Sequence, residues 1–140
     1  MTTVIVFIAI SLLWFISVLH MYWAFGGRWG TVAVIPVKEG EHQPIFKPRK
    51  LGTILVAVLI LLASFMLIFQ AGYLESLQTN ALSKLGSIIC SIVFMIRAIG
   101  DFNYLGFFKK IKHSQFARYD TWIYSPLCLF LSISYIILLF

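Results

Sequence analysis

Acidic residues are scarce in this chain: Asp and Glu together number 5 among 140 residues, and charged residues of both signs make up only 11%. Soluble domains carry about 25% charged residues, so an ordinary soluble globular domain is excluded. Cysteine is limited to Cys90 and Cys128, without a C-x-x-C pair. Counted along their helices, the two lie about 14 Å and about 20 Å from one face of the membrane, too far apart in depth for a disulfide. His20, His42 and His113 have no metal-ligand spacing relative to one another or to the cysteines, and no metal or cofactor is expected. H-E-x-x-H, a Walker loop and G-x-S-x-G are missing as well, which removes the usual support for hydrolase and ATPase readings. No basic segment precedes the first apolar block and no small-residue cleavage site follows it, so that block is expected to remain as a span.

What the chain has in abundance is apolar sequence, at 61% of residues and a mean hydropathy of +0.95. No charge occurs from Met1 to Gly27, from Leu51 to Leu74, from Leu85 to Ile96 or from Thr121 to Phe140. A helix crosses the roughly 30 Å hydrocarbon layer with about 20 residues. The expectation is one all-α domain over residues 1–140, an integral membrane four-helix bundle with spans at about 4–25, 51–73, 81–102 and 121–140. The third block is too short without Arg97, which must therefore enter the membrane region with it.

The net charge of +6 does not point to nucleic acid, because the basic residues lie in segments flanking the spans. Arg28, Lys38, Lys47, Arg49 and Lys50 fall in the first connection and Lys109, Lys110, Lys112 and Arg118 in the third, against Lys84 alone in the second. Cytoplasmic loops are enriched in Lys and Arg, so both rich segments are expected in the cytoplasm and both termini outside. The first connection, about 25 residues long, exceeds the usual loop length and is expected to lie partly in the headgroup region or against the bundle. In the third, Phe102, Tyr104, Leu105, Phe107, Phe108, Ile111 and Phe116 alternate with lysines, as in an interfacial segment with basic side chains turned toward anionic headgroups. The plainer alternative is an aromatic belt that anchors the helix ends. The second connection, around Glu75 to Asn80, reads as a short external turn.

Depth counting brings the polar residues to one level. His20 and Arg97 each lie about 24 Å along spans that run the same way, while Asp120, Tyr124 and Ser125 return to that level at the start of the fourth span. Asp101 stands at i+4 from Arg97, and on a continuous helix the two would pair. An unpaired Arg or Asp at the helix centre costs about 2.5 to 3.5 kcal/mol, so such groups normally face the bundle or a wet cavity. Ser83, Ser87, Cys90, Phe94, Arg97 and Asp101 form one stripe and Thr121, Ser125, Cys128, Ser132 and Tyr135 another, the small and hydroxylated faces through which helices pack in lipid. Leu13, Ser17, His20 and Ala24 form the matching stripe on span one.

The words His20-Met-Tyr-Trp-Ala-Phe-Gly-Gly-Arg-Trp-Gly30, Arg97-Ala-Ile-Gly-Asp-Phe-Asn-Tyr-Leu-Gly-Phe-Phe-Lys-Lys110 and Tyr124-Ser-Pro-Leu-Cys-Leu129 resemble the signature of a family of small bacterial four-span membrane proteins catalogued as a domain of unknown function. The resemblance covers essentially the whole chain and implies a multi-pass protein of the bacterial cytoplasmic membrane. It implies no activity.

Three functions remain open at this level. In the first, His20, Tyr22, Trp23, Arg97, Asp101, Asn103, Tyr104, Asp120 and Tyr124 form a cytoplasm-facing pocket for a lipid, an isoprenoid or another amphipathic molecule whose anionic group meets Arg97. In the second, the protein is an accessory subunit of a membrane complex, with Arg97 and Asp101 as a purely structural clamp and the loops docking a membrane protein partner. In the third, it is a small intramembrane enzyme with His20 or an aspartate as acid or base. No catalytic constellation is complete, which ranks the enzyme last.

Overall fold

The computed structural model describes residues 1–36, 44–45, 47–73 and 79–140, and the elements among these residues are helical. In chain order they are α1 (Thr2–Ala24), α2 (Thr31–Val34), α3 (Lys50–Gln70), α4 (Ala81–Ile99), α5 (Gln115–Tyr119), a wide π turn (Asp120–Tyr124) and α6 (Ser125–Leu139). The helix α1, α3, α4 and the continuous run Gln115–Leu139 are each long and apolar enough to cross a membrane. This is the architecture of a multi-pass membrane protein, in which a helix satisfies every backbone polar group within its own span. The turn expected around Glu75 to Asn80 falls largely outside the described residues, as do Lys38 and His42 of the first connection.

The spans pack in two close pairs, α1 with α3 and α4 with α6. On α1 the buried residues Val6, Ala9, Leu13 and Ser17 recur at three- and four-residue steps, and on α3 they are Ala57, Ala63, Ser64 and Leu67. Small residues let these backbones approach, and Ser17 Oγ donates to the Ala57 carbonyl at 2.8 Å. The second pair is joined reciprocally. Ser132 Oγ donates to the Ser91 carbonyl at 2.9 Å, and the two hydroxyls lie 3.1 Å apart. Ser83, Ser87, Ser91 and Ala98 make the buried small-residue stripe of α4, a spacing suited to close helix contact in lipid. Ser87 contributes its size, since its buried hydroxyl has no partner among the described residues. The stripe read from the sequence included Ser83 and Ser87 but placed Cys90 where Ser91 is the better buried residue; Cys90 and Cys128 are half-buried free thiols.

The pairs meet over a core of Val6, Ala9, Leu13, Ala63, Leu67, Leu131 and Tyr135. Tyr135 donates its hydroxyl to the Ala63 carbonyl at 2.6 Å. At one end of the bundle, Gln70 Nε2 donates to the Leu138 carbonyl and Gln70 Oε1 accepts from Ser83 Oγ, so one amide ties three spans together.

The boundaries of the third and fourth spans differ from expectation, with consequences for the polar site. Helix α4 ends at Ile99 because Gly100 leaves it with φ +91°. Asp101 is therefore in the loop, and the i+4 geometry of a continuous helix does not apply to it. The fourth span begins at Gln115 and widens at Asp120–Tyr124, where the Ser125 N–H bonds to the Asp120 carbonyl five residues back. Pro126 explains the widening: its ring lacks an N–H and would crowd the Trp122 carbonyl in a regular helix.

Between α4 and α5 the chain folds into a closed loop. The Phe107 N–H bonds to the Ala98 carbonyl at 2.9 Å, and the Lys110 and Ile111 N–H groups bond back to Phe102 and Asn103. Gly100 and Gly106 face each other at its neck, both at positive φ, and a Cβ on either would overlap the partner's backbone. Gly106→Ala should therefore destabilise the protein by more than the roughly 1 to 2 kcal/mol that a left-handed backbone costs an L-residue, read as a lowered thermal unfolding temperature in detergent. Gly52→Ala, at a helical position with open space around it, should leave the unfolding temperature unchanged or raise it.

Candidate functional site

Asp120 is completely buried at the first turn of the widened segment. A carboxylate in that setting is stable only when paired and hydrogen-bonded. Four groups from three parts of the chain converge on it. Arg97 Nη2, in the last turn of α4, donates to Oδ1 at 2.9 Å. Lys109 Nζ donates to Oδ2 at 2.9 Å, the Gly106 N–H donates to the same oxygen at 2.8 Å, and Ser125 Oγ lies 3.4 Å from it. In a regular α-helix residues five apart are separated by about 140° around the axis; the π turn brings Asp120 and Ser125 to the same face.

Lys109 is only 2% exposed, and all three of its ammonium protons have acceptors: Asp120, the Gly106 carbonyl at 2.9 Å and Thr121 Oγ1 at 2.6 Å. An ammonium has three donors and no acceptor, so nothing of Lys109 is left for another partner. This corrects the reading of Lys109 as one of the headgroup-facing lysines. A buried carboxylate one turn inside the fourth span requires a cation, and Lys109, set behind the apolar pair Phe107-Phe108, is the residue that turns inward.

Arg97 is also corrected. Its partner is Asp120, and Asp101 has another task. Asp101 Oδ1 accepts the backbone N–H groups of Asn103, Tyr104 and Leu105 at 2.8 to 2.9 Å, which shapes the loop that delivers Gly106. Desolvation pushes the Asp101 carboxyl up, but the N–H bonds from Leu105, Tyr104 and Asn103 outweigh it and hold the group below the usual carboxylate range. The ionised form therefore supports the loop at neutral pH, and that support is lost only as the pH falls through the depressed value.

Above the ion cluster lies a cleft of about 240 Å³ lined by Val34, Pro36, Ile45, Arg97, Asp101, Tyr104, Leu105 and Phe116. Three segments build it: the first connection, the end of α4 with its loop, and the start of the fourth span. Tyr124 holds the wall in place. Its hydroxyl donates to the Ala33 carbonyl at 3.1 Å, securing α2 against the fourth span, and its ring packs on Phe116. The first and third connections thus meet at one end of the bundle. Arg97 retains donors here. Its side chain is 32% exposed, and its buried Nη1 has no hydrogen-bond partner among the described residues.

Of the nine residues chosen from the sequence, Arg97, Asp101 and Tyr104 line the cleft, Asp120 lies beneath it and Tyr124 braces it. The other four are elsewhere. His20 Nδ1 is 2.8 Å from the Ile16 carbonyl of its own helix, with the ring edge-on to Trp23. Among the described residues no hydrogen bond or ion pair joins it to Arg97. Tyr22 packs against Gly27 and its hydroxyl accepts the Trp29 N–H at 3.4 Å, while Trp23 Nε1 donates to the Trp29 carbonyl at 2.8 Å. The first sequence word therefore forms the turn that leads from α1 to α2. Asn103 serves the loop through its backbone. Sequence reasoning missed Lys109, Gly106 and the apolar wall of Val34, Pro36, Ile45, Leu105 and Phe116. The signal for Lys109 was the need of Asp120 for charge; the wall residues carry none that separates them from other loop residues.

No curated protein and no solved structure matches the chain. A family model does, from residue 13 to residue 135, a range that includes every residue of the ion cluster and of the cleft. With that coverage the chain belongs to the family described as "Protein of unknown function (DUF3995)".

Proposed function

We propose that this protein is a membrane-embedded binding module that accepts a lipid or another amphipathic small molecule, with the anionic group of the ligand against Arg97. The observation that carries the reading is the partly exposed Arg97 side chain, whose Nη1 has no hydrogen-bond partner among the described residues, in a cleft whose other walls are mainly apolar. Arginine offers five donors in a planar fork suited to carboxylate and phosphate, and only one hydrogen bond, to Asp120, occupies it among the described residues. Val34, Pro36, Ile45, Leu105 and Phe116 suit an apolar body. The basic connections that flank the spans suit contact with anionic headgroups.

A second reading, an accessory subunit of a membrane complex with a purely structural ion pair, draws support from the bond between Arg97 and Asp120 itself. Mutation separates the two. Arg97→Ala leaves Asp120 with Lys109, the Gly106 N–H and Ser125, so a binding role predicts a protein that still folds, destabilised less than by loss of Lys109, from which co-purifying ligand disappears in native mass spectrometry. A clamp predicts the reverse, a polydisperse protein of sharply lowered unfolding temperature. Lys109→Met removes a fully buried partner and strands two acceptors, so it should cost about 3 kcal/mol or more under either reading. The enzyme reading is weakest, because the buried ammonium has no free proton to exchange with a substrate and His20 stands apart.

We also propose that the protein lies in the bacterial cytoplasmic membrane with both termini outside and the cleft facing the cytoplasm. The support is the concentration of Arg28, Arg49, Lys50, Lys110, Lys112 and Arg118 in the two connections that converge at the cleft. In a cysteine-free background, a cysteine at Thr2 should react with an impermeant maleimide in intact cells, whereas one at Lys110 should react only after permeabilisation. The opposite pattern refutes the orientation.

A further inference from the structure

The serines of the spans turn inward, with one exception. Eight of them, Ser17 on α1 and the rest on α3, α4 and the fourth span, are buried, as suits hydroxylated residues at helix contacts in lipid. Ser11 is exposed on the outward side of α1. Trp14 stands three residues further along that side and is 48% exposed. Trp23, Trp29 and Trp122 lie at the end of the bundle that holds the cleft, the interfacial level where tryptophan is enriched. Trp14 is about 18 Å from Thr2 and about 15 Å from Ala24 along α1, in the middle of the hydrocarbon layer. The outward positions at the middle of α3 and α4, such as Leu59, Leu62, Ile89 and Ile92, are aliphatic. The outward face of α1 is thus the one that carries hydrogen-bonding side chains at mid-span among the described residues of these three helices.

The two side chains complement each other across a two-fold axis. An indole has one N–H donor and no acceptor, and Trp14 makes no hydrogen bond among the described residues. Residues 37–43, 46 and 74–78 fall in connections between spans, and lipid-exposed connecting backbone does not occur at mid-hydrocarbon. Ser11 spends its proton on the Phe7 carbonyl at 2.9 Å, which leaves its oxygen able to accept. Donor and acceptor are about 4.5 Å apart along the axis, and helix side chains lean toward the N-terminus, so the indole covers the level of Ser11. The basic bias of the connections orients every copy of the chain alike. A two-fold axis along the membrane normal therefore keeps each residue at its own depth and sets Trp14 of each copy beside Ser11 of the other. A foreign helix would have to supply both groups at the matching level. We infer that a second copy of this chain covers the outward face of α1, in a parallel contact through Phe7, Ser11, Trp14 and Val18 with reciprocal hydrogen bonds from Trp14 Nε1 to Ser11 Oγ. The contact uses no residue of the cleft, so it stands or falls apart from the binding role.

The test uses the full-length protein in vesicles of phosphatidylethanolamine and phosphatidylglycerol, with energy transfer between labelled copies measured over a range of protein densities. The wild-type chain should dimerise. Trp14→Phe keeps the ring and removes the N–H, and it should weaken the dimer about tenfold, the scale of two interhelical hydrogen bonds in a membrane. Ser11→Ala should weaken it to a similar extent, and the double variant should be no weaker than either single one, because all three lose the same bonds. Phe65→Leu, on the outward face of α3, should have no effect. In a cysteine-free background, Val18→Cys should cross-link between copies with a bifunctional thiol reagent, while Val56→Cys and Ile92→Cys should not. If Trp14→Phe fails to fold, Ser11→Ala and the cross-linking pattern decide. A chain that stays monomeric at every density, a dimer indifferent to both substitutions, or cross-linking through Val56→Cys or Ile92→Cys in place of Val18→Cys overturns the proposal.

Discussion

One buried carboxylate organises the polar end of this bundle. Asp120 has no access to solvent, and the low polarity around it makes each missing partner expensive. Its requirements account for features that otherwise look unrelated. The glycine neck of the loop exists so that the Gly106 N–H reaches Oδ2. The π turn presents Asp120 and Ser125 together. Lys109 abandons the surface, and Arg97 stays within the last turn of α4, where a cation also complements the helix dipole. The long second sequence word, from Arg97 to Lys110, is thus a single device: a cation, a glycine exit, an aspartate that ties the loop, a glycine return and a second cation, all directed at one acid outside the word.

The two cations contribute differently because they differ in geometry. Lys109 is a compact point charge with three donors, each matched to a fixed acceptor, and it seals the interior. Arg97 is a planar fork larger than its single carboxylate bond requires, and its partly exposed side chain lines a cleft. A purely structural site would more economically saturate the guanidinium with carbonyls, as the ammonium is saturated here. The contrast between a satisfied cation and one that keeps a free donor among the described residues, both on the same carboxylate, is what supports the proposed binding role.

The spans were legible in the sequence because lipid imposes a simple rule: about 20 residues without charge, with small residues where helices meet. The convergence of Asp120, Tyr124 and Ser125 with Arg97 followed from counting rise per residue, and the structure shows the Arg97–Asp120 bond. The partner was misassigned because i+4 pairing presumes a continuous helix. Gly100 breaks it one residue before Asp101, and glycine in a membrane helix does not by itself announce a stop. His20 belongs to the pair α1 and α3, while Arg97 belongs to α4 and α6; a count along a span carries no information about rotation or neighbour. Lys109 was obscured by composition, since it is one of several lysines in an aromatic loop and only tertiary closure distinguishes it from Lys110, which is exposed.

The cleft itself illustrates a limit on reading sites from ionisable residues alone. Its charged members come from α4 and the loop that follows, but its position depends on α2, a four-residue helix too short to be stable in isolation. That helix is held by Tyr124 from the opposite side of the sequence, 91 residues away, and entered by a turn that Tyr22 and Trp23 brace. The three sequence words therefore act in series. The first sets the course of the chain out of α1, the third secures α2 against the fourth span, and the second supplies the guanidinium that the resulting wall encloses. Loss of the first word, or of the Tyr124 hydroxyl alone, would open the cleft without necessarily disturbing Asp120 and its partners, because the ion cluster closes within α4, its loop and the fourth span. The ion cluster and the cleft are thus built from overlapping but separable sets of residues, and Arg97 is the residue common to both.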